Sequence, residues 1–350
     1  MSDASTLWPD VVGRLVRREE LPPELATAAL DSVLAGEATD AQIAAFATTL
    51  RAKGETPVEL AALARAMLAR SEPVELGDHG PLVDTCGTGG DRAGTVNVST
   101  MAALIAAGAG ATVAKHGNRA ASSQCGSADV LDALGVVVDL GPKGVARCIA
   151  EAGIGFCFAP RFHASLRFAA AVRRELGVPT TFNFLGPLAN PAGATRRTVG
   201  VADPTMAERM IGALAELGAE HALVFYGHDG LDELTTTTTS TVFELRDGTI
   251  RRSDVDPASL GLARVERGAL AGGDTAGNAQ AVHRVLAGQT GPLRDIAALN
   301  AAAAIVVAGL ADDLAGGLAL ARAAIDDGRA AAALDAFVRT SVAARDAEAA

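Results

Sequence analysis

A glycine-rich segment is the first part of the sequence whose residue types suggest chemistry. It reads Asp-Thr-Cys-Gly-Thr-Gly-Gly-Asp over residues 84–91, and Asn97, Ser99 and Thr100 follow it. Glycines let backbone N–H groups turn toward an anion, and a helix that starts behind them adds the positive end of its dipole. The segment is not a Walker A loop, because no Gly-Lys-Ser/Thr follows, and Arg92 stands where a dinucleotide-binding fingerprint needs its third glycine. A plain glycine turn is the alternative, and the polar residues beyond it favour phosphate binding.

A second polar loop reads Lys-His-Gly-Asn-Arg-Ala-Ala-Ser-Ser over residues 115–123, and Ser127 opens the helix behind it. Two cations, an amide and two hydroxyl groups directly after an apolar strand are typical of a polyanion site. An ordinary charged surface loop is the alternative, and His116 by itself is more typical of a structural residue. Together with the glycine-rich segment, this loop predicts a site that covers a diphosphate from two sides.

An arginine pair and a stiff apolar segment come next along the chain. Arg173 and Arg174 lie on a predicted helix that follows Pro-Arg-Phe-His (160–163), and a planar guanidinium suits a small carboxylate. Taken alone, the pair is more typical of a solvated helix face. Residues 182–191 combine Phe, Asn, Gly and Pro, and they fit either the wall of an aromatic-substrate site or packing between domains.

Adjacent carboxylates mark a fourth loop, Gly-His-Asp-Gly-Leu-Asp-Glu-Leu over residues 227–234. Asp232 and Glu233 are oxygen ligands of the kind that Mg²⁺ takes together with water or phosphate oxygens. Two acids on a surface turn are also common, but the two phosphate loops favour the magnesium interpretation. We assign no function to the threonine run at 235–239 that follows.

Short apolar and β-branched runs predict the strands that carry these loops. They alternate with helical stretches, which is typical of a mostly parallel sheet covered on both faces. In such sheets ligands bind beyond the carboxyl ends of the strands, where we expect the four loops to lie. A hairpin with an Asp-Gly turn is predicted at 241–250. The predicted strands are 81–84, 111–115, 136–140, 154–159, 198–202 and 221–226, and the predicted helices are 96–108, 127–134, 143–152, 164–176 and 205–217.

The first seventy residues show helical patterns only. Two capping boxes, at residues 39–42 and 56–59, open predicted helices there. Residues 71–81 are rich in Pro, Gly and acids, which indicates a linker. We therefore predict a helical domain at 1–73 and an α/β domain at 74–350. The predicted fold class is α/β, with a small N-terminal helical domain beside a larger domain built on a mostly parallel central sheet.

The composition excludes several classes of protein. The chain has 350 residues, which suggests two domains at roughly 100–200 residues each. Hydrophobic residues are 49% and charged residues 20%, so a folded core is expected rather than disorder. The net charge is −11, from 30 Lys and Arg against 41 Asp and Glu, and such an acidic chain is expected to bind no nucleic acid.

The sequence also predicts a cytoplasmic protein with no membrane partner. The longest uncharged stretch, residues 93–114, contains three glycines and several polar residues, so it falls short of the about 20 apolar residues of a membrane span. The first ten residues lack the basic and apolar regions of a signal peptide. Cys86, Cys125, Cys148 and Cys157 form no Cys-x-x-Cys pair, which is typical of reduced thiols.

Taken in order, five of these segments resemble the anthranilate phosphoribosyltransferase family. The resemblance covers nearly the whole chain, and it implies a homodimer with a nucleoside phosphorylase/phosphoribosyltransferase-like fold. It also implies that helices from about 164–190 join the N-terminal helical domain. An anthranilate synthase amidotransferase partner is left open. The five segments are 84–91, Asn-Val-Ser-Thr (97–100), 115–123, Asn-Phe-Leu-Gly-Pro-Leu-Ala-Asn-Pro (183–191) and Asp-Gly-Leu-Asp-Glu-Leu (229–234).

The family's reaction transfers the phosphoribosyl group of 5-phosphoribosyl 1-pyrophosphate to the amino group of anthranilate, a step of tryptophan biosynthesis that uses Mg²⁺. The resemblance gives catalytic roles to Lys115, Asn118 and Arg173. It gives anthranilate contacts to Gly87, Asn118, His163 and Arg173, and magnesium contacts to Ser99, Asp232 and Glu233. The implied contacts with phosphoribosyl pyrophosphate are Gly87, Gly90, Asp91, Thr95, Asn97, Val98, Ser99, Thr100, Lys115, His116, Gly117, Asn118, Arg119, Ala120, Ala121, Ser122, Ser123 and Ser127.

This chain departs from the family's usual pattern at two places. Ala164 follows His163 where Pro is usual, and Leu166 stands where Met is common. Two other functions remain as alternatives. A pyrimidine nucleoside phosphorylase would share the architecture but has no need of paired acids for magnesium, and a non-catalytic nucleic-acid-binding paralogue would need a basic surface.

Overall fold

The computed structural model describes residues 4–77, 79–120 and 124–349. Its chain begins with four helices, α1 (Ala4–Val16), α2 (Pro23–Leu34), α3 (Asp40–Lys53) and α4 (Pro57–Ala69). Both predicted capping boxes are present at the starts of α3 and α4. At α3 the Gln42 N–H donates to Thr39 Oγ1 at 3.3 Å, and the Thr39 N–H donates to Gln42 Oε1 at 2.8 Å. Each box satisfies donors that would otherwise be unpaired at a helix start.

A seven-stranded sheet forms the centre of the described chain, in the order β3-β2-β1-β4-β5-β6-β7. The pairs from β3 to β5 are parallel, and β6 and β7 add an antiparallel hairpin with its turn at Asp247 and Gly248, as predicted. The mostly parallel sheet confirms the predicted fold class. The strands are β1 (Leu82–Gly87), β2 (Thr112–Gly117), β3 (Ile154–Phe158), β4 (Arg196–Gly200), β5 (His221–Gly227), β6 (Ser240–Arg246) and β7 (Thr249–Val255).

Helices connect the parallel strands and cover both faces of the sheet, because parallel neighbours need crossover connections. The remaining α-helices are α5 (Val98–Gly108), α6 (Ser127–Ala133), α7 (Pro142–Ala152), α8 (Ala159–Phe162), α9 (Arg167–Leu176), α10 (Phe182–Leu185), α11 (Pro204–Glu216), α12 (Thr275–Leu286), α13 (Pro292–Val307), α14 (Leu314–Asp326) and α15 (Arg329–Glu348). Among the described residues, no helix is both long and apolar enough to cross a bilayer.

The strand predicted at 136–140 is wrong. This segment lies between α6 and α7 and pairs with no strand of the described sheet. Its alternation is real, since Val136, Val138 and Leu140 are buried. However, the Val137 N–H donates to Ser341 Oγ on α15 at 3.0 Å, so the segment packs beneath a helix rather than joining a ladder.

Two hydrophobic clusters form the core, and alternate residues of the central strands face one or the other. On β5, Leu223 and Phe225 point into a cluster formed with α5–α7 and α12–α15, whereas Ala222 and Val224 point into a second cluster. The second cluster combines α1–α4 with α9, α10 and α11. The domain boundary near residue 73 stays a prediction.

Candidate active site

A cavity of about 380 Å³ opens beyond the carboxyl ends of β1 and β2. It brings together nearly all the described residues for which we predicted a site role. Thr100 is the exception, because its side chain is buried in α5 and does not line the cavity. Ala121, Ser122 and Ser123 lie outside the described residues. The predicted residues that line the cavity are Gly87, Gly90, Asp91, Thr95, Asn97, Val98, Ser99, Lys115, His116, Gly117, Asn118, Arg119, Ala120, Ser127, His163, Arg173, Asp232 and Glu233.

The glycine-rich loop after β1 turns sharply before α5 begins. Gly89 and Gly90 have φ of 65° and 88°, values in the left-handed region that favours glycine. Residues near the start of α12 hold the far end of the loop. The Asn97 N–H donates to the buried Asn278 Oδ1 at 3.2 Å, and the Gly272 N–H donates to the Gly94 carbonyl at 2.9 Å. The loop is therefore fixed from outside the cavity, with α5 starting at its edge.

Lys115 occupies the centre of the site at the end of β2. Its Nζ donates to the Thr85 carbonyl at 2.6 Å and to Ser99 Oγ at 3.3 Å. Burial lowers the pKa of this ammonium group from its usual value. A buried cation that retains donor capacity next to a glycine loop is suited to bind phosphate oxygens.

Asp232 and Glu233 reach the cavity from loop four and meet the backbone of the first loop. Asp232 Oδ2 accepts the Gly89 N–H at 2.8 Å, and Glu233 Oε1 accepts the Ser99 N–H at 3.2 Å. Burial and the charge of Asp91 raise the pKa of Asp232 to about 7. Burial and the charge of Asp232 raise the pKa of Glu233 well above its usual range. The two carboxyl groups therefore resist ionising together, and a bound divalent cation would favour their ionised forms.

The donor set here fits Mg²⁺. The side chains of Ser99, Asp232 and Glu233 offer oxygen atoms alone, which this cation prefers. In the part of the chain that the structure describes, no group of three or more His, Cys, Asp and Glu side chains could hold a metal ion. A magnesium ion at the carboxylate pair would complete its coordination with water or phosphate oxygens, as is usual for this ion.

Two glycines leave space for Asp232. An added Cβ at Gly87 would lie 2.4 Å from Asp232 Oδ2, and one at Gly200 would lie 1.6 Å from the Asp232 carbonyl oxygen. Both distances are far below van der Waals contact. Loop four therefore approaches β1 and β4 so closely that neither position has room for a side chain.

The second polar loop is held by the helix that follows it. Ser127 Oγ accepts the Asn118 N–H at 3.2 Å, and Asp129 Oδ2 accepts the Ala120 N–H at 2.9 Å. The Arg119 guanidinium, which we predicted to contact phosphate, donates to Asp129 at 2.9 Å. Its charge is therefore already partly neutralised by acidic neighbours on α6.

The lining also includes an apolar part, with Phe182 and Pro187, and Arg173 lies beside that phenyl ring. Arg173 lines the cavity with its guanidinium 5.8 Å from the centre of the Phe182 ring, whereas Arg174 is exposed. The ring of His163 meets that of His116 edge-on at 5.2 Å. His163 Nε2 lies 3.1 Å from the Ala189 carbonyl, which can only accept, and burial lowers the pKa of this ring to about 4. His163 is therefore neutral at pH 7.

Sequence reasoning missed some functional neighbours. Residues 182–191 were predicted to form either a wall of the site or a packing surface, and they contribute to both. Phe182 and Pro187 line the cavity, while Phe184 and Leu188 belong to the second core cluster. Thr88 and Asn183 lie inside the segments 84–91 and 183–191 without an assigned role, whereas Met67 lies on a remote helix that no local pattern marked. The lining residues without a predicted role are Met67, Cys86, Thr88, Gly89, Arg92, Gly94, Val96, Cys125, Gly126, Ala159, Leu166, Phe182, Asn183, Gly186 and Pro187.

Comparisons with known proteins agree with this geometry. Residues 79–331 match a family described as "Glycosyl transferase family, a/b domain", and residues 9–71 match its "helical bundle domain" counterpart. The anthranilate phosphoribosyltransferase of Roseiflexus castenholzii is 54% identical over 334 residues, covering 95% of this chain and 98% of that protein.

Solved structures show the same likeness. The crystal structure of anthranilate phosphoribosyltransferase from Thermus thermophilus matches with a TM-score of 0.89 at 43% identity, covering 95% of this chain and 99% of that one. The Saccharomyces cerevisiae enzyme in complex with PRPP and Mg matches with a TM-score of 0.88 at 26% identity, covering 97% and 99%. The yeast enzyme in complex with 4-fluoroanthranilate matches with a TM-score of 0.87 at 25% identity, with the same coverage. Since both sequence and fold match over almost its full length, the chain belongs to the anthranilate phosphoribosyltransferase family.

Proposed function

We propose that this chain transfers the phosphoribosyl group of 5-phosphoribosyl 1-pyrophosphate to anthranilate, giving N-(5-phosphoribosyl)anthranilate and pyrophosphate in tryptophan biosynthesis. One observation carries the proposal. The carboxylate pair Asp232 and Glu233 faces the same cavity as Lys115 and as Arg173. A polyanion with its cation can bind at one end, and an aromatic carboxylate can bind at the other.

Different residues assist different parts of the reaction. The C1–O bond to pyrophosphate breaks, the anthranilate nitrogen forms a bond to C1, and that nitrogen then releases a proton. Lys115 and the backbone amides of the glycine loop stabilise the charge that develops on the leaving pyrophosphate. Arg173 pairs with the anthranilate carboxylate and holds the amine near C1, which contributes to catalysis through positioning.

Asp232 and Glu233, with the Ser99 hydroxyl, would hold Mg²⁺, and the bound ion would supply positive charge that stabilises the leaving group. No strong general base is required, since an aromatic amine is neutral and its lone pair is free. The low pKa of His163 agrees with this, because a ring with a pKa of about 4 is a weak base at neutral pH.

The finer residue roles are part of the proposal. We assign contacts with both substrates to Asn118, which lines the cavity, and to Gly87, which lets loop four approach β1. Thr100 supports α5 from within the core, so its contact with phosphoribosyl pyrophosphate is the weakest member of the predicted set. A pyrimidine nucleoside phosphorylase would leave the carboxylate pair without a task, and the family comparisons favour the transferase.

Assembly and location extend the proposal beyond the single chain. We infer a homodimer in the cytoplasm, supported by the family resemblance and by four cysteines that form no disulfide among the described residues. An anthranilate synthase amidotransferase would be a second protein partner, besides the other copy of this chain. The helical domain at 1–73 and the α/β domain at 74–350 are proposed on the linker composition of residues 71–81.

The fluorescence of anthranilate provides the direct test. With phosphoribosyl pyrophosphate and Mg²⁺ present, we expect the fluorescence to fall as the amine is consumed, and omission of either component should stop the loss. Fluorescence that stays constant with folded protein and both components would refute the activity. Release of thymine from thymidine and phosphate in that case would establish the phosphorylase instead.

A further inference from the structure

The threonine run at 235–239 follows the carboxylate loop directly, and the proposed reaction gives it no task. In the structure two of its hydroxyl groups turn back toward that loop. Thr235 Oγ1 donates to Asp229 Oδ2 at 2.8 Å, and Thr237 Oγ1 donates to the same oxygen. The Thr237 N–H in turn donates to Thr235 Oγ1 at 3.0 Å. Asp229 is thus bonded across the loop to residues beyond Asp232 and Glu233.

Further hydrogen bonds fix the loop between these points. The Gly227 N–H donates to the Leu231 carbonyl at 2.9 Å, and the Leu231 N–H donates to Asp229 Oδ1 at 3.3 Å. On the other side, Asn300 of α13 accepts the Leu234 N–H and donates to the Leu234 carbonyl, both at 2.9 Å. The two cavity carboxylates are therefore flanked on both sides by fixed residues.

A loop with this charge needs such support. Asp232 and Glu233 are adjacent, face the same cavity and lie close to Asp91, so these carboxylates repel one another when they are ionised together. That repulsion favours loop conformations in which the carboxylates separate. A divalent cation binds most tightly when both carboxylate oxygens are already held at the positions that it requires.

We propose that Thr235 and Thr237 are positioning residues, whose hydroxyl bonds to Asp229 hold the carboxylate pair in the place that a divalent cation requires. This rests on the proposed function, in which Asp232 and Glu233 bind Mg²⁺. Partners that orient metal ligands in this way typically change metal affinity or activity by about 10–100-fold when they are removed.

The run itself contains a matched control. Thr235 and Thr236 are neighbours, and both side chains are buried, with 1% and 0% exposed. Within the described part of the chain, the Thr236 hydroxyl has no hydrogen-bond partner. Valine has the shape of threonine without the hydroxyl, so the same substitution removes the bonds with Asp229 and the Thr237 N–H at Thr235 and removes none that the structure shows at Thr236.

The experiment compares Thr235→Val with Thr236→Val and with Thr235→Ser, which keeps the hydroxyl. Binding of Mn²⁺, an oxygen-preferring stand-in for Mg²⁺, is followed by electron paramagnetic resonance in the presence of pyrophosphate. The Mg²⁺ concentration for half-maximal anthranilate consumption and the urea midpoint are measured beside it. Asp229→Asn replaces Thr235→Val if the latter does not fold.

We expect Thr235→Val to weaken Mn²⁺ binding about 10- to 100-fold and to raise the Mg²⁺ requirement equally. Thr236→Val and Thr235→Ser should stay within about twofold of the parent chain. Unchanged Mn²⁺ binding in folded Thr235→Val or Asp229→Asn, or equal weakening in Thr236→Val, would overturn the inference. If the parent chain binds Mn²⁺ but consumes no anthranilate, the proposed function fails, and the Mn²⁺ comparison still decides the role of the threonines.

Discussion

Arg173 and Arg174 are adjacent on α9, and their environments differ completely. Arg173 lines the cavity beside the Phe182 ring, while Arg174 is exposed to solvent. Burial lowers the pKa of Arg173, yet guanidinium groups are so basic that it stays charged. A half-buried guanidinium that lines a cavity beside an aromatic ring suits a planar carboxylate.

Arg173→Ala should therefore raise the KM for anthranilate about 10- to 100-fold, because a hydrogen bond to a charged group contributes roughly 1.5–3 kcal/mol. The KM for phosphoribosyl pyrophosphate should change little. Initial rates measured with each substrate varied in turn give both constants. Arg174→Ala is the matched control and should leave both constants unchanged. An equal rise in both KM values for Arg173→Ala would contradict the assigned role.

The sequence predicts which charged side chains face the cavity better than it predicts which residues hold the loops in place. Lys115 and the Asp232–Glu233 pair were recognisable because each stands in a polar loop that follows an apolar strand, where ligands of parallel sheets bind. Gly200 and Asn278 were not, since each acts on a loop far away in the chain. Such contacts depend on how the elements pack, which no local pattern contains.

Loop four and the end of β4 illustrate how elements determine the site. The Asp232 carbonyl lies so close to Gly200 that a methyl group there would overlap it, at 1.6 Å. The parallel pairing of β1 with β4 sets Gly200 opposite Gly87, so both glycines meet the same aspartate. Strand register therefore decides where the carboxylate pair lies.

Gly200→Ala should displace loop four and reduce kcat by at least about tenfold, with a loss of roughly 1–3 kcal/mol in stability from overpacking. Anthranilate consumption and urea unfolding measure the two effects separately. Gly80→Ala is the control, because a methyl group there meets no described atom within 4 Å. Full activity in Gly200→Ala would show that loop four can move away from β4 without a loss of kcat, which would contradict the prediction.

The element predictions succeeded or failed for identifiable reasons. Both capping boxes and the Asp-Gly hairpin turn were correct, because their hydrogen bonds are local in sequence. The strand at 136–140 was wrong, because alternating burial also describes an extended segment under a helix. Whether such a segment joins a ladder depends on which neighbour reaches its N–H groups, here Ser341 on the last helix.

The whole molecule carries a charge of −11, yet its proposed substrates are anions. Long-range attraction is therefore absent, and binding depends on short-range groups such as Lys115, Arg173 and the loop amides. These groups line the cavity beyond the carboxyl ends of the strands. The second core cluster joins α1–α4 to α9–α11, so the N-terminal helices share a core with the elements that carry Arg173.

That shared core predicts how the molecule unfolds. Trp8 is the single tryptophan of the chain, 7% exposed, and its ring lies 6.2 Å from that of Phe46 in the helical unit. Its fluorescence therefore reports on α1–α4, whereas far-ultraviolet circular dichroism reports on every helix and strand. Because one continuous cluster links α1–α4 to the sheet, we expect the two probes to give the same urea midpoint. A Trp8 transition at clearly lower urea would show that the helices at 1–73 unfold alone, and it would make them an independent domain whose contacts with α9–α11 contribute little to stability.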